Sequence, residues 1–189
     1  QGFEKLLYAS GGAHVEGALL TETLLKASGA RVIKEEVALS VSDHGYQIAG
    51  ESYDQVILAT GAWLGQILEP LGYQVDVRPQ KGQLRDYQLD RDTDDFPVVM
   101  PEGELDIIPF QQGKISMGAT HENEMGFDLT VDQALLNQME IEALAYYPEL
   151  AQAEVIGERV GTRAYTSDFS PFWGVVPDQA GLYVASGLG

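Results

Sequence analysis

A mixed fold is predicted, with an α/β lobe joined to an α+β lobe, and three features of the sequence predict it. Val56-Ile57-Leu58-Ala59 and Leu182-Tyr183-Val184-Ala185 are apolar at successive positions, as strands buried on both faces of a parallel sheet are. Beyond Pro79 the texture changes to short strands separated by turn residues, which suggests an antiparallel sheet. Leu136, Met139, Ala143 and Tyr146 then recur at helical spacing, so a helix is expected to cover that sheet. The α/β lobe is expected to comprise residues 1–77 and 155–189, and the antiparallel lobe residues 78–154.

Taken in order, Gly11-Gly12-Ala13-His14-Val15 reads as a turn or short extended connection. Leu20, Leu24 and Ala27 follow at helical spacing, and Gly29 closes that helix as a C-cap. Residues 31–41 and Tyr46-Gln47-Ile48 read as a hairpin turning at Asp43-His44-Gly45. The strand at Val56 runs through Thr60-Gly61 into a helix over residues 63–71 that stops at Gly72, an order that places backbone N–H groups at the carboxyl edge of a sheet. Short strands are expected at residues 83–87, 97–100, 106–110 and 114–117, with Gln111-Gln112-Gly113 as a tight turn. Thr130-Val131-Asp132-Gln133 matches a capping box for the covering helix, which should end before Pro148. Residues 155–165 look extended, and residues 166–172 form an irregular loop. Ser186-Gly187-Leu188-Gly189 opens a further turn, where a buried strand would normally run on into a covering helix, so the chain is expected to be part of a longer protein.

Composition narrows the function. The formal charge of −18, from 29 acidic and 11 basic residues, repels a phosphate backbone, and no run of Lys or Arg gathers the cations, so no nucleic-acid partner is expected. With no cysteine there is no disulfide, no thiolate nucleophile, no Cys-ligated zinc and no cysteinyl flavin link. No apolar run is long enough for a membrane span and the N-terminus lacks a secretory layout, which leads to the expectation of a cytoplasmic protein without a membrane partner.

Four segments, in this order, carry a resemblance to a known family: Gly12-Ala13-His14-Val15 before a helix, Val56-Ile57-Leu58-Ala59-Thr60-Gly61-Ala62-Trp63, Arg78-Pro79-Gln80-Lys81-Gly82-Gln83, and Gly161-Thr162-Arg163 through Gly187-Leu188-Gly189. Together they resemble the D-amino-acid oxidase, glycine oxidase and sarcosine oxidase group of flavoproteins over nearly the whole chain. The resemblance implies FAD as cofactor. It also implies a G-x-G-x-x-G unit for the FAD pyrophosphate that this sequence does not contain, so the isolated chain is expected to bind FAD weakly or not at all. By the same resemblance, Val37 or Ala38 lies beside the adenine and Ala59, Thr60 and Gly61 pass the phosphate and ribose. Trp63 is a further candidate near the cofactor, and Gly187 and Gly189 begin the loop that reaches the isoalloxazine ring.

Substrates in that family are small amines or amino acids oxidised to imines, and Arg163 aligns with the arginine that holds their carboxylate. A guanidinium fork suits two carboxylate oxygens. Where glycine-oxidase-like members place a tyrosine, this chain has Asp106, which either selects an amino group or faces solvent. Tyr165 shares a strand face with Arg163 and is a further substrate candidate. For Gly61 and Trp63 the alternative is a plain strand-to-helix turn with a core tryptophan; for Arg163 it is a structural ion pair, and for Tyr165 a half-buried sheet residue. No catalytic base is assigned in this chain. His14, His44 and His121 are too scattered for a local metal site. Asp90, Asp92 and Asp94 imitate a calcium loop but continue with Asp95 and Pro101 where glycine and glutamate are needed. Two alternatives to the amine oxidoreductase stay open: a flavin-free structural or binding module, and the oxidase domain of a transfer-RNA wobble-uridine modifying enzyme. The latter is suggested by Val176-Pro177-Asp178 and disfavoured by the acidic charge.

Overall fold

A computed structural model describes residues 5–42 and 45–188. Three helices, α1 (Gly17–Ser28), α2 (Leu64–Leu68) and α3 (Gln133–Tyr146), accompany ten strands: β1 (Leu39–Ser42), β2 (Gly45–Ile48), β3 (Glu51–Tyr53), β4 (Val56–Leu58), β5 (Arg78–Gln88), β6 (Asp106–Pro109), β7 (Lys114–Gly118), β8 (Glu154–Tyr165), β9 (Phe172–Val175) and β10 (Leu182–Ser186). The mixed α/β and α+β class expected from the sequence is found. The chain divides into two units, Gln1–Val37 and Ala38–Gly189. Among the described residues no helix is long and apolar enough to cross a membrane.

The first unit holds α1. The Glu16 carboxylate accepts the Leu19 N–H at 3.0 Å to cap its N-terminus, and Gly29 takes the left-handed conformation (φ 65°) that ends it. None of its residues is buried.

The second unit contains three sheets, ordered β1-β2-β3, β4-β10-β9 and β6-β7-β5-β8. The first is an antiparallel meander. The strand expected over residues 31–41 is confined to Leu39 onward, because β2 reaches only Ile48 before Ala49 and Gly50, both at positive φ (52° and 82°), turn the chain into β3. Asp43 and His44, the expected turn, lie outside the described residues. In the second sheet β10 runs parallel to β4 and antiparallel to β9. Val56, Leu58 and Leu182 are buried in one core with Leu64 and Leu68 of α2. Ile57 is 70% exposed, so the expectation that this strand is buried on both faces is corrected: α2 covers one face only. The helix expected over residues 63–71 is broken into a 3₁₀ turn at Gly61–Trp63, α2, and a 3₁₀ turn at Glu69–Leu71 that ends at Gly72 (φ 86°). Pro70 lacks the N–H that would continue the α ladder.

The third sheet is wholly antiparallel. β5 pairs with β8 from Arg78↔Tyr165 to Gln88↔Glu154, interrupted by a bulge between Asp86 and Tyr87, and with β7 from Leu84 to Gln88. Residues 155–165, assigned from the sequence to the α/β lobe, therefore belong with the antiparallel sheet, because their backbone groups are spent on β5. The long partner also explains why β5 starts at Arg78 rather than residue 83. Pro79 is accommodated beyond the reach of β7, where the strand is paired on one side only. The strand expected at residues 97–100 shrinks to a single bridge, Val99↔Ile107, since Pro97 and Pro101 remove the donors on either side.

α3 buries Leu136 and Ala143 completely, Ala143 within the core of Tyr87, Ile107, Ile115 and Met117 that this sheet supplies. Its cap differs from the expected box. Asp132 is the N-cap, its carboxylate accepting the N–H groups of Ala134 and Leu135 at 2.9 and 3.1 Å, while Thr130 donates its own N–H to Asp128. Beside the apolar stripe runs a polar one that the sequence reading missed: Gln133, Asn137 and Glu140 stand at i, i+4 and i+7 and all receive Arg85 of β5. Arg85, 4% exposed, also donates to Glu158, its register partner on β8, at 3.0 Å. One guanidinium thus ties helix, central strand and edge strand together. Arg85→Met should lower unfolding free energy by about 2–4 kcal/mol, because it leaves Glu140 and Glu158 without their cation. Denaturant unfolding of the protein checks the size, and hydrogen exchange should show α3 protected least.

Candidate functional site

Side chains alternate along β5, so Lys81, Gln83, Arg85 and Tyr87 face α3, whereas Gln80, Gly82, Leu84 and Asp86 face the other way. Register places Arg163, Gly161 and Arg159 of β8, Ser116 and Gly118 of β7, and Asp106 of β6 on that second face. One end of it is closed electrostatically. Arg159 donates from Nε and NH2 to the two oxygens of Asp86, each at 2.9 Å, and the Ser116 hydroxyl donates to Asp86 at 2.5 Å. Burial pushes the Asp86 carboxyl up, but the Arg159 fork and Ser116 outweigh it and hold the group below the usual aspartate range.

Arg163 is different. Its NH1 donates to the Thr120 carbonyl at 2.8 Å and to Gln80 Oε1 at 3.3 Å, both neutral acceptors. Arg85, Arg91 and Arg159 each have a carboxylate within ion-pair distance, while among the described residues Arg163 has none. Among the described residues no protein acceptor takes its Nε or NH2. Burial works against its charge, offset in part by the field of Glu104. A half-buried guanidinium with one edge anchored and the other edge free has the donor geometry to take a carboxylate.

Asp106 stands at the start of β6 opposite Gly118. Burial raises its carboxyl above the ordinary value, and nearby His121 partly counters this. His121 Nδ1 lies 3.1 Å from Glu104. Glu104, Thr120 and His121 also line a cleft of about 230 Å³ that extends beside α3 to Gln138 and Glu142. Tyr165 shares the face of Arg163 but is engaged elsewhere: its ring packs edge-on against Phe169 at 5.3 Å and lies under the Arg78 guanidinium at 5.1 Å. The structure therefore joins Arg163 through Thr120 to the segment that carries His121, and His121 to Glu104 and Asp106. Sequence reading had Arg163 and Asp106; it missed Glu104, Thr120 and His121, whose spacing holds no local signal. Gln80 lay inside a segment already singled out.

The residues expected near the flavin sit mainly at the ends of β4 and β10. Thr60 Oγ1 is buried with no hydrogen-bond partner among the described residues. Gly61 follows at φ 55°, nothing lies within 4 Å of where its Cβ would be, and its carbonyl accepts the buried Ser186 hydroxyl at 2.9 Å. Ala59 is exposed at the end of the same strand. Trp63 is 47% exposed and stacks on Phe127 with centroids 4.7 Å apart. Gly187, at φ 82°, has a reason internal to the protein: a Cβ there would meet the Ser170 carbonyl at 2.8 Å. Val37 and Ala38 are exposed in a stretch without regular structure, and Gly189 lies outside the described residues. Among the described residues no group of three His, Asp or Glu is placed to hold a metal, and Asp92 of the calcium-like stretch instead accepts the N–H groups of Thr93 and Asp94.

Comparison with known proteins gives these features a family. Residues 1–189 match DAO, described as FAD dependent oxidoreductase. Uncharacterized oxidoreductase YurR of Bacillus subtilis (strain 168) is 40% identical over 198 residues, covering 100% of this chain and 53% of that protein. Glycine oxidase of Pseudomonas aeruginosa is 31% identical over 199 residues, covering 98% of this chain and 53% of that protein. Among solved structures, iminodiacetate oxidase from Chelativorans sp. BNC1 matches with a TM-score of 0.86 at 35% identity, over 92% of this chain and 49% of its own. The chain spans about half the length of these relatives. Matched along its whole length, and alike in fold to a solved relative, the chain belongs to the DAO family of FAD dependent oxidoreductases.

Proposed function

We propose that the protein containing this chain oxidises a carboxylate-bearing amine, an amino acid or a secondary amine, to the imine. The observation that carries this reading is the free edge of Arg163. A half-buried cation in a chain with 29 acidic residues, with none of the described ones at ion-pair distance, is poised for an external anion. The relatives fit that chemistry, since glycine and iminodiacetate, which the oxidases are named for, are both amines that carry carboxylates.

In this reading the Nε and NH2 of Arg163 grip the substrate carboxylate while Thr120 and Gln80 keep the guanidinium from swinging. Asp106, on the same sheet face, receives the amino group, and His121 with Glu104 sets the local field. FAD, when bound, supplies the hydride acceptor, and the protein's own part is orientation and exclusion of water. Thr60 and Gly61 fit the cofactor: an orphaned buried hydroxyl costs about 1–3 kcal/mol unless a ligand satisfies it, and the open space over Gly61 admits close approach.

Three outcomes test this in the full-length protein. Arg163→Ala should cut kcat/KM for amino-acid substrates about a hundredfold, mainly through KM, and leave amines lacking a carboxylate nearly unchanged; equal losses for both would refute the assignment. Thr60→Val should weaken FAD binding about five- to tenfold, read by titrating apoprotein with the flavin, while leaving the apoprotein as stable as the parent or more so. A destabilised apoprotein with unchanged FAD affinity would place the hydroxyl in the fold and not at the cofactor. Asp106 must be ionised to hold an ammonium, so kcat/KM should rise with pH through a value above that of an ordinary aspartate. Asp106→Asn should abolish that acid limb.

A further inference from the structure

We infer that Gly82 is a positioning residue for Arg163: the missing side chain at this one point of β5 is what lets the guanidinium lie across the strand with its free edge presented. The inference rests on the reading of Arg163 as the carboxylate anchor.

Gly82 has no backbone reason to be glycine. It lies in the paired interior of β5, opposite Gly161, outside the left-handed region. Glycine there weakens the strand through its conformational freedom, so something other than φ and ψ must require it. Space does. A Cβ built on Gly82 would stand 2.8 Å from Arg163 NH1, 2.9 Å from Cζ and 3.0 Å from NH2, closer than side-chain contacts allow. Arg163 itself is paired with Gln80, two residues away along β5. Its side chain therefore leans diagonally over Gly82 to reach the Thr120 carbonyl, which follows the end of β7. The neighbouring strand repeats the device, since a Cβ on Gly118 would meet Leu84 Cγ at 2.7 Å, and Gly118 is the register partner of Asp106. The atoms a Gly82 Cβ displaces are all in the terminal guanidinium, whose long stem can swing aside. An alanine there should leave the sheet intact and move the charged group.

The test uses full-length, FAD-loaded protein carrying Gly82→Ala, Arg163→Ala or both. Two readouts serve, KM for iminodiacetate and the affinity of acetate measured by its perturbation of the flavin spectrum. Gly82→Ala should raise both constants about tenfold with kcat little changed, while dimethylamine is handled as by the parent. The double variant should be no worse than Arg163→Ala alone, since both changes act on one group. If Arg163→Ala weakens carboxylate binding and Gly82→Ala does not, the inference about Gly82 is overturned and the anchor stands. If Arg163→Ala itself has no carboxylate-selective effect, the anchor reading fails and takes this inference with it. Should Gly82→Ala alone fail to fold, the double variant decides: recovery of folding supports a clash confined to Arg163, and continued failure overturns it.

Discussion

Charge inside a sheet is tolerable only where every ionised group finds partners, and β5 meets that demand on both of its faces at once. Toward α3 it sends Lys81 and Arg85, toward the opposite side Asp86, and none of the three is more than 6% exposed. Arg85 is satisfied by Glu140, Glu158 and two amide side chains, Lys81 by the Thr130 carbonyl at 2.5 Å, and Asp86 by Arg159 and Ser116. These partners come from β7, β8, α3 and the segment before α3. Each is held where β5 needs it, so the polar strand specifies the arrangement of its neighbours as firmly as the apolar core beneath α3 does.

That economy makes Arg163 stand out. It occupies the same sheet face as the Asp86–Arg159 pair, at the other end of the β5–β8 ladder, yet carries neutral acceptors in place of a carboxylate. Two hydrogen bonds fix the head group, and in the proposed role they remove rotamer entropy that a ligand would otherwise have to overcome, the usual benefit of preorganisation. The residues around it raise the stakes of that fixation. Asp106 shares its sheet face and Glu104 is near enough for its field to reach it, and a mobile guanidinium would be drawn toward such acids and neutralised.

The second sheet contributes a different kind of candidate site. At the end of β4 the chain leaves a strand buried on one face, places at Thr60 a hydroxyl with no partner among the described residues, and turns at Gly61 before α2 begins. Polar groups of the backbone and a hydroxyl are gathered there by the geometry of a strand-to-helix turn, with a charge nowhere involved. Its glycines have unlike reasons: Gly61 faces open space, whereas Gly187 is required by contact with the Ser170 carbonyl. A motif glycine therefore has to be judged by what surrounds its missing Cβ.

Local chemistry was legible in the residues themselves. Gly29 and Gly72 end helices because only glycine takes the left-handed turn without strain, the apolar runs at Val56 and Leu182 do form a parallel pair, and Leu136 and Ala143 do seat α3 on an antiparallel sheet. Such signals depend on neighbours in sequence, as do the residue types that suit a carboxylate or a flavin. Partnership does not. That β8 completes the antiparallel sheet, that Arg85 is shared by Gln133, Asn137, Glu140 and Glu158, and that His121 meets Glu104 were decided by contacts between distant segments, among them strand pairs such as Gln80 and Arg163 that stand 83 residues apart. The sequence by itself determined that position 163 is a cation; only the tertiary structure decided that this cation has no acid of its own among the described residues, because pairing is a property of distance and not of composition.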